Sequence, residues 1–205
     1  MSSSKPVSRI VFVRHGQTDF NAGGRVQGQI DIPLNEEGRA QARAMGPVVA
    51  ALEPTLVVVS DLSRAVDTAA EIVRHVDVPL VLDERIRERD FGVFEGMSRD
   101  EMVAQHPNWF DEWRTTGDCT SAGVETRVAV GERFAEAVLE HVAGEPGTYV
   151  FVSHGSAITQ AMTQLLGLSP DSWAGLRGPD NCHWSILERA SRFPNWRVVA
   201  HNVGA

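Results

Sequence analysis

The run Val11-Phe12-Val13-Arg14-His15-Gly16 returns almost unchanged as Val150-Phe151-Val152-Ser153-His154-Gly155. Each copy is a short, β-branched, wholly apolar stretch that stops abruptly at His-Gly. A strand with one wet face would alternate apolar and polar residues, and these do not, so both read as strands covered on both faces of a parallel or mixed sheet. In open α/β sheets, ligands collect beyond the carboxyl ends of such strands. If the two strands are neighbours, His15 and His154 share one crevice.

The rest of the chain alternates strand and helix. Arg9 to Val13 reads as the first strand, and Pro33-Leu34-Asn35 opens a helix to about Leu52, with Asn35 as N-cap and Glu36 and Glu37 in the favoured first turn. Pro54 cannot continue that helix. Leu56 to Val59 is a second buried strand, followed by a helix from about Leu62 to His75 capped by Ser60 and Asp61. Pro79 to Leu82 is a short third strand. The stretch from about 91 to 123 has no clean period and carries Phe94, Trp109, Phe110 and Trp113, so it reads as an irregular, partly helical cap. Val130, Phe134, Val138 and Val142 place a helix over Val124 to Val142. A helix from Ser156 to Leu166 follows the second His-Gly, and Trp184 to Leu187 and Trp196 to His201 end the chain as a strand pair. The class is α/β: a three-layer sandwich with a mostly parallel central sheet, helices on both faces and a cap. With 205 residues and no linker or repeat, a single domain over 1–205 is expected.

Net charge is −8, which disfavours nucleic acid and anionic membrane as partners. An anionic substrate must therefore be drawn by a local cluster. No apolar stretch approaches the ~20 residues of a membrane span, and Met1 to Pro6 lacks the apolar core of a leader. Two cysteines, Cys119 and Cys182, make no disulfide framework, which suits a reducing cytoplasm. Neither HxH, HExxH nor CxxC occurs, so neither metal nor cofactor is expected. The cap and edge strands leave a homodimer open.

Four segments carry chemistry. In Arg14-His15-Gly16-Gln17-Thr18-Asp19-Phe20-Asn21, a histidine held at a strand tip stands beside a guanidinium fork that matches phosphate oxygens. Taken alone, the dipeptide also fits an ordinary strand-to-loop turn. Arg64 falls in the first turn of its helix, the wrong end for a cation. An anion at that end would account for it, as would a solvated pair with Asp67. His154-Gly155 opens another helix. Arg87-Glu88-Arg89-Asp90 resembles a solvated charge run, yet a carboxyl beside a bound phosphate keeps a proton available, because the neighbouring negative charge opposes ionisation.

Together, RHGQTDFN, RVQG, SDLSRAVDTA, ERDFGVFEG and VSHG resemble the histidine phosphatase superfamily, the phosphoglycerate mutase-like group, over nearly all of residues 9 to 190. The resemblance implies that His15 is the nucleophile that becomes phosphohistidine, that Arg14, Arg64 and His154 hold the phosphoryl oxygens, and that Glu88 is the proton donor. It places Asn21, Gln27, Gly28, Arg89 and Gly155 at the substrate, a small phosphate ester. The cap lacks the paired arginines with which mutases hold a triose carboxylate, and Ser156 stands where mutases tend to carry asparagine. These departures favour a metal-independent phosphatase over a phosphoglycerate mutase, or over an idle phospho-ligand module on the same fold. Gly178-Pro179-Asp180-Asn181-Cys182-His183-Trp184 is similar to glucosyl-3-phosphoglycerate phosphatases and broad-specificity relatives, whereas Gly123-Val124-Glu125-Thr126 departs from their usual pattern.

Overall fold

In the computed structural model, which describes residues 8–205, the two His-Gly strands lie side by side. Strand β1 (Arg9–Arg14) pairs in parallel with β4 (Thr148–Ser153), Val11 opposite Val150 and Arg14 opposite Ser153. Strand β2 (Pro54–Val59) runs parallel along the other side of β4, and β3 (Leu80–Leu82) forms the outer edge. Strand β5 (Trp184–Arg189) adds antiparallel to β1, and β6 (Trp196–Val203) adds antiparallel to β5, giving the order β3-β2-β4-β1-β5-β6.

The absence of alternation in β1 and β4 now has its physical cause. Ile10, Phe12 and Phe151 pack against α6 (Arg127–His141) and α7 (Gly155–Leu165). Val11, Val13, Val150 and Val152 face the other way, onto α2 (Glu36–Ala50) and α3 (Ser63–Val73). Both strand faces are therefore dry, and the three-layer α/β reading holds. A single-turn helix, α1 (Asp19–Ala22), follows the first His-Gly. The N-terminal Met1 to Pro6 segment lies outside the described residues. Among the described residues no helix is long and apolar enough to cross a membrane.

Some boundaries move. Asn35 caps α2, its side chain accepting from the Gly38 N–H, but the helix ends at Ala50 rather than Leu52. Helix α6 begins three residues later than its apolar period suggests, because Thr126 caps it by accepting from the Ala129 N–H. Ser60 and Asp61 do not cap α3. Its N-cap position is Leu62, and the Ser63 N–H and hydroxyl donate instead to Asp31 Oδ1, at 2.8 and 2.7 Å. The helix terminus is thus satisfied by a carboxylate 32 positions away, which fastens the 25–31 loop across it. Asp61 is occupied by an ion pair with Arg87.

The cap is more ordered than its period suggests. It contains α4 (Arg99–Gln105), opened by a Ser98/Glu101 capping box, and α5 (Pro107–Thr116), which starts on proline and ends at the left-handed Gly117. Phe94, Met102, Phe110, Cys119, Ala122 and Val124 form a small core of their own beneath it, apart from the two that flank the sheet.

Candidate active site

The site assembles at the carboxyl ends of β1, β4 and β2. The His15 N–H donates to Ser153 O and the Ser60 N–H to Val152 O, both at 3.0 Å, so the two residues flank the carboxyl end of β4. The His15 and His154 rings then lie 5.1 Å apart, centre to centre.

His15 is buried, and its Nδ1 lies 2.7 Å from Gly16 O. A carbonyl only accepts, so Nδ1 carries the proton, and Nε2, which makes no hydrogen bond, keeps its lone pair. Burial first, then the charges of Arg64 and Arg14, hold the imidazole well below its usual value of 6.5. Gly16 is needed for a reason other than ligand access. A Cβ there would come within 2.5 Å of Gly38 O, so the glycine lets the start of α2 close on the strand tip.

Arg64 is fully buried. Its Nη2 donates to Gly28 O at 2.7 Å, its Nη1 to Ile30 O at 2.8 Å and its Nε to His154 Nδ1 at 3.2 Å. No pairing with Asp67 occurs among its contacts. Each terminal nitrogen keeps one N–H. Because a guanidinium only donates, Nδ1 of His154 is the acceptor, and its proton sits on Nε2, 2.9 Å from Ser60 Oγ. Burial, followed by Arg64 and His15, holds His154 well below 6.5 as well. Both of its nitrogens are occupied and its side chain lies beneath the site, where it fixes Arg64.

Arg14 donates from Nη1 to Pro179 O at 2.8 Å, while its Nε is buried without an acceptor among the protein groups. Glu88 closes the opposite side. Its carboxylate accepts from the Ala157 and Ser156 N–H groups, at 2.8 and 3.1 Å, at the N-terminus of α7. Arg133 clamps the segment behind it by donating to Arg85, Arg87 and Glu88 carbonyls.

Two amides complete the wall. Thr18 Oγ1 donates to Gln27 Oε1 at 2.7 Å, and Asn181 Nδ2 donates to Asn21 Oδ1 at 3.2 Å. With both carbonyl oxygens held back, the NH2 groups of Asn21 and Gln27 remain as donors, an arrangement suited to an anion. Gly28 turns through a positive φ of +55°, and a side chain there would strike Glu95, which anchors the loop through the Gln29 N–H at 2.8 Å.

The resulting cavity encloses about 140 Å³ and is lined by Arg14, His15, Asn21, Gln27, Arg64 and Glu88, with Gly28, Arg25, Val26, Phe91 and Trp113 towards its mouth. A larger, more apolar depression between α6, α7 and the β5–β6 turn carries none of these residues, so size does not decide which of the two is chemical. Arg89 stands apart from this cavity. Its guanidinium is spent on Glu125 O, Gly117 O and Asp118, and lies behind Phe91, so it braces the cap instead of meeting substrate. Glu125, in the unusual Gly-Val-Glu-Thr segment, is likewise structural, paired with Arg133 through both oxygens. Reading the sequence missed Ser60, taken for a helix cap, and Arg25, whose place in RVQG gave no sign that it reaches the mouth. Among the described residues no three His, Cys, Asp or Glu side chains converge as a metal-binding group.

Two buried histidines held neutral make stability depend on pH. Between their lowered folded values and the ordinary unfolded value near 6.5, the unfolded chain binds more protons. Their contribution is complete above about pH 6.5 and is lost as pH falls below it. Denaturant unfolding at pH 7.0, 6.0 and 5.0 should show a progressive loss, approaching about 2.7 kcal/mol per pH unit if both groups titrate. A flat profile over that range would mean that the two rings take up protons in the folded protein as readily as in the unfolded chain.

The sequence profile of the histidine phosphatase superfamily (branch 1) matches residues 10–203. A glucosyl-3-phosphoglycerate phosphatase of Mycolicibacterium vanbaalenii is 40% identical, the alignment covering 97% of this chain and 96% of that one. A probable phosphoglycerate mutase GpmB of Cronobacter sakazakii is 34% identical over 78% of this chain and 75% of its own. The solved structure of a mycobacterial glucosyl-3-phosphoglycerate phosphatase in complex with VO3 superposes with a TM-score of 0.87 at 36% identity, covering 96% of this chain and all of that one. Sequence, fold and the paired strand-tip histidines agree: the chain belongs to the histidine phosphatase superfamily.

Proposed function

We propose that this protein is a metal-independent phosphomonoesterase that works through a phosphohistidine on His15, with small phosphorylated hydroxy acids or sugars as substrates. The observation that carries the reading is the free Nε2 of a neutral imidazole, its Nδ1 clamped by Gly16 O, at the base of a cavity ringed by Arg14, Arg64, Asn21 and Gln27. Phosphoryl transfer asks for an in-line nucleophile and donors to the equatorial oxygens, and little else. The spare N–H groups of the two arginines and the two amides supply those donors.

In the first half-reaction, Nε2 bonds to phosphorus as the ester P–O bond breaks, and Glu88 gives the departing oxygen its proton. In the second, Glu88 takes a proton from water as the water oxygen displaces the imidazole, releasing inorganic phosphate. His154 acts through Arg64, whose Nε it accepts. The names of the relatives that match nearly end to end support a phosphoglycerate-type leaving group.

The test is phosphate release from a panel of phosphate esters in excess EDTA, with 3-phosphoglycerate assayed in parallel for conversion to the 2-isomer. Release without isomerisation is expected, and isomerisation without release would replace the phosphatase by a mutase. Glu88→Gln should lower kcat/KM, which reports transfer to His15 and leaves out the shared dephosphorylation step, about 10²- to 10³-fold for alkyl phosphates, whose leaving oxygen needs a proton. For p-nitrophenyl phosphate, which leaves as a stable anion, the loss should be at least tenfold smaller. Equal losses on both would remove Glu88 from the proton-donor role.

A further inference from the structure

We propose that Arg25 is the specificity residue of this site, reading a carboxylate on the leaving group. The inference rests on the phosphatase reading above and concerns the half of the substrate that departs. Three cations line the cavity: Arg14, Arg64 and Arg25. Arg64 is fully buried at the base, whereas the Arg25 side chain is 41% exposed at the mouth. A phosphate ester held by the deep pair therefore projects the rest of its molecule past Arg25. With the protein carrying a net charge of −8, a second negative group on the substrate needs a local cation, and the mouth offers this one.

The backbone holds Arg25 in place. The Val26 N–H donates to Met97 O at 3.0 Å, and the Gly96 N–H donates to Val26 O at 2.8 Å, zipping the loop to the base of the cap. The side chain is less committed. Nη1 donates to Gly96 O and to Glu101 Oε2, at 2.6 and 2.7 Å, Nη2 reaches Glu101 Oε1 at 3.3 Å, and Nε makes no hydrogen bond. Glu101 is also 41% exposed, and an ion pair this open contributes little. Glu101 has a second partner too, since its Oε2 accepts from the Ser98 N–H at 2.7 Å in the capping box of α4. A ligand carboxylate can thus share or take the guanidinium fork while Glu101 keeps its helix cap. The cation comes from the loop that also carries Gln27 and Gly28.

The test compares two competitive inhibitors of p-nitrophenyl phosphate hydrolysis: 3-phosphoglycerate and glycerol 3-phosphate, which has a hydroxymethyl group in place of the carboxylate. The unmodified protein should bind 3-phosphoglycerate about tenfold more tightly. Arg25→Gln should bring the two inhibition constants within about twofold of each other, and Arg25→Lys should restore part of the preference. Glu101→Gln, which breaks the ion pair but spares the arginine, should keep or enlarge it. If Arg25 served only to hold the cap, Arg25→Gln and Glu101→Gln would weaken both ligands alike, and that result would overturn the proposal, as would a ratio that Arg25→Gln leaves unchanged. In either case continued hydrolysis of p-nitrophenyl phosphate would leave the phosphatase reading intact, whereas no hydrolysis by the unmodified protein would end that reading first.

Discussion

Replacing His15 by alanine is expected to lower kcat for p-nitrophenyl phosphate by about 10⁴-fold or more, the scale of loss when a covalent nucleophile is removed. The expectation rests on chemistry that no neighbour can replace. His154 is 5.1 Å away ring to ring, but its Nδ1 lone pair accepts Arg64 and its Nε2 proton faces Ser60, so it has no free electron pair to offer. Arg14, Arg64, Asn21 and Gln27 remain in the variant, so the affinity for inorganic phosphate should change less than about tenfold while turnover disappears. The split between binding and rate separates a lost nucleophile from a damaged fold. Removing the ring also leaves Gly16 O without its donor, a cost of about 1–3 kcal/mol that a melting curve will register. Rapid acid-free quenching and mass spectrometry should find a phosphoryl adduct on His15 in the unmodified protein and none in the variant. Turnover within tenfold of the unmodified protein would remove His15 from the chemistry.

Much of the site could be read from the sequence because it follows from strand endings. A dry parallel strand must stop where its apolar run stops, and the residue just beyond it is held rigidly at the sheet's carboxyl edge. That logic puts His15 and His154 in one crevice if their strands are neighbours, and the parallel pairing of β1 with β4 makes them so. Arg64 was legible for a related reason: a cation in the first turn of a helix is locally unfavourable and calls for an explanation elsewhere. The explanation found is fuller than the expected one, because the carbonyls of Gly28 and Ile30 share the guanidinium with the cavity.

What sequence reading lost was contact between segments distant along the chain. Asp31 caps α3 across 32 positions, and no local pattern announces that, so Ser60 was given a cap's role it does not have. Arg89 sits one residue from Glu88 in a run of charges, and only the fold shows that neighbouring side chains in an extended stretch point to opposite sides, one to the cavity and one to the cap. The cap helices are too short for a hydrophobic period to register, though the Ser98/Glu101 box, Pro107 and Gly117 were there to mark their ends.

The second large effect is expected at Arg64, where charge and shape can be separated. Arg64→Lys keeps the positive charge and removes the fork. A single ammonium cannot serve Gly28 O, Ile30 O and His154 Nδ1 and still donate twice into the cavity. Arg64→Met removes the charge as well. Both should lose about 10³-fold in kcat/KM, the scale attached to donors that stabilise charge in phosphoryl transfer, with lysine recovering less than tenfold of the loss. The pH profiles should then divide the two. Arg64 is the first of the charges that oppose protonation of His15, after burial itself, so methionine should move the acidic limb of kcat/KM upward towards 6.5, and lysine should leave it near its original position. Unfolding measurements guard the comparison, since the unpaired carbonyls of Gly28 and Ile30 cost stability in both variants. If lysine restores the unmodified rate, the site needs only a positive charge at this depth, and the planar fork, with His154 and Ser60 arranged beneath it, has no part in the transfer.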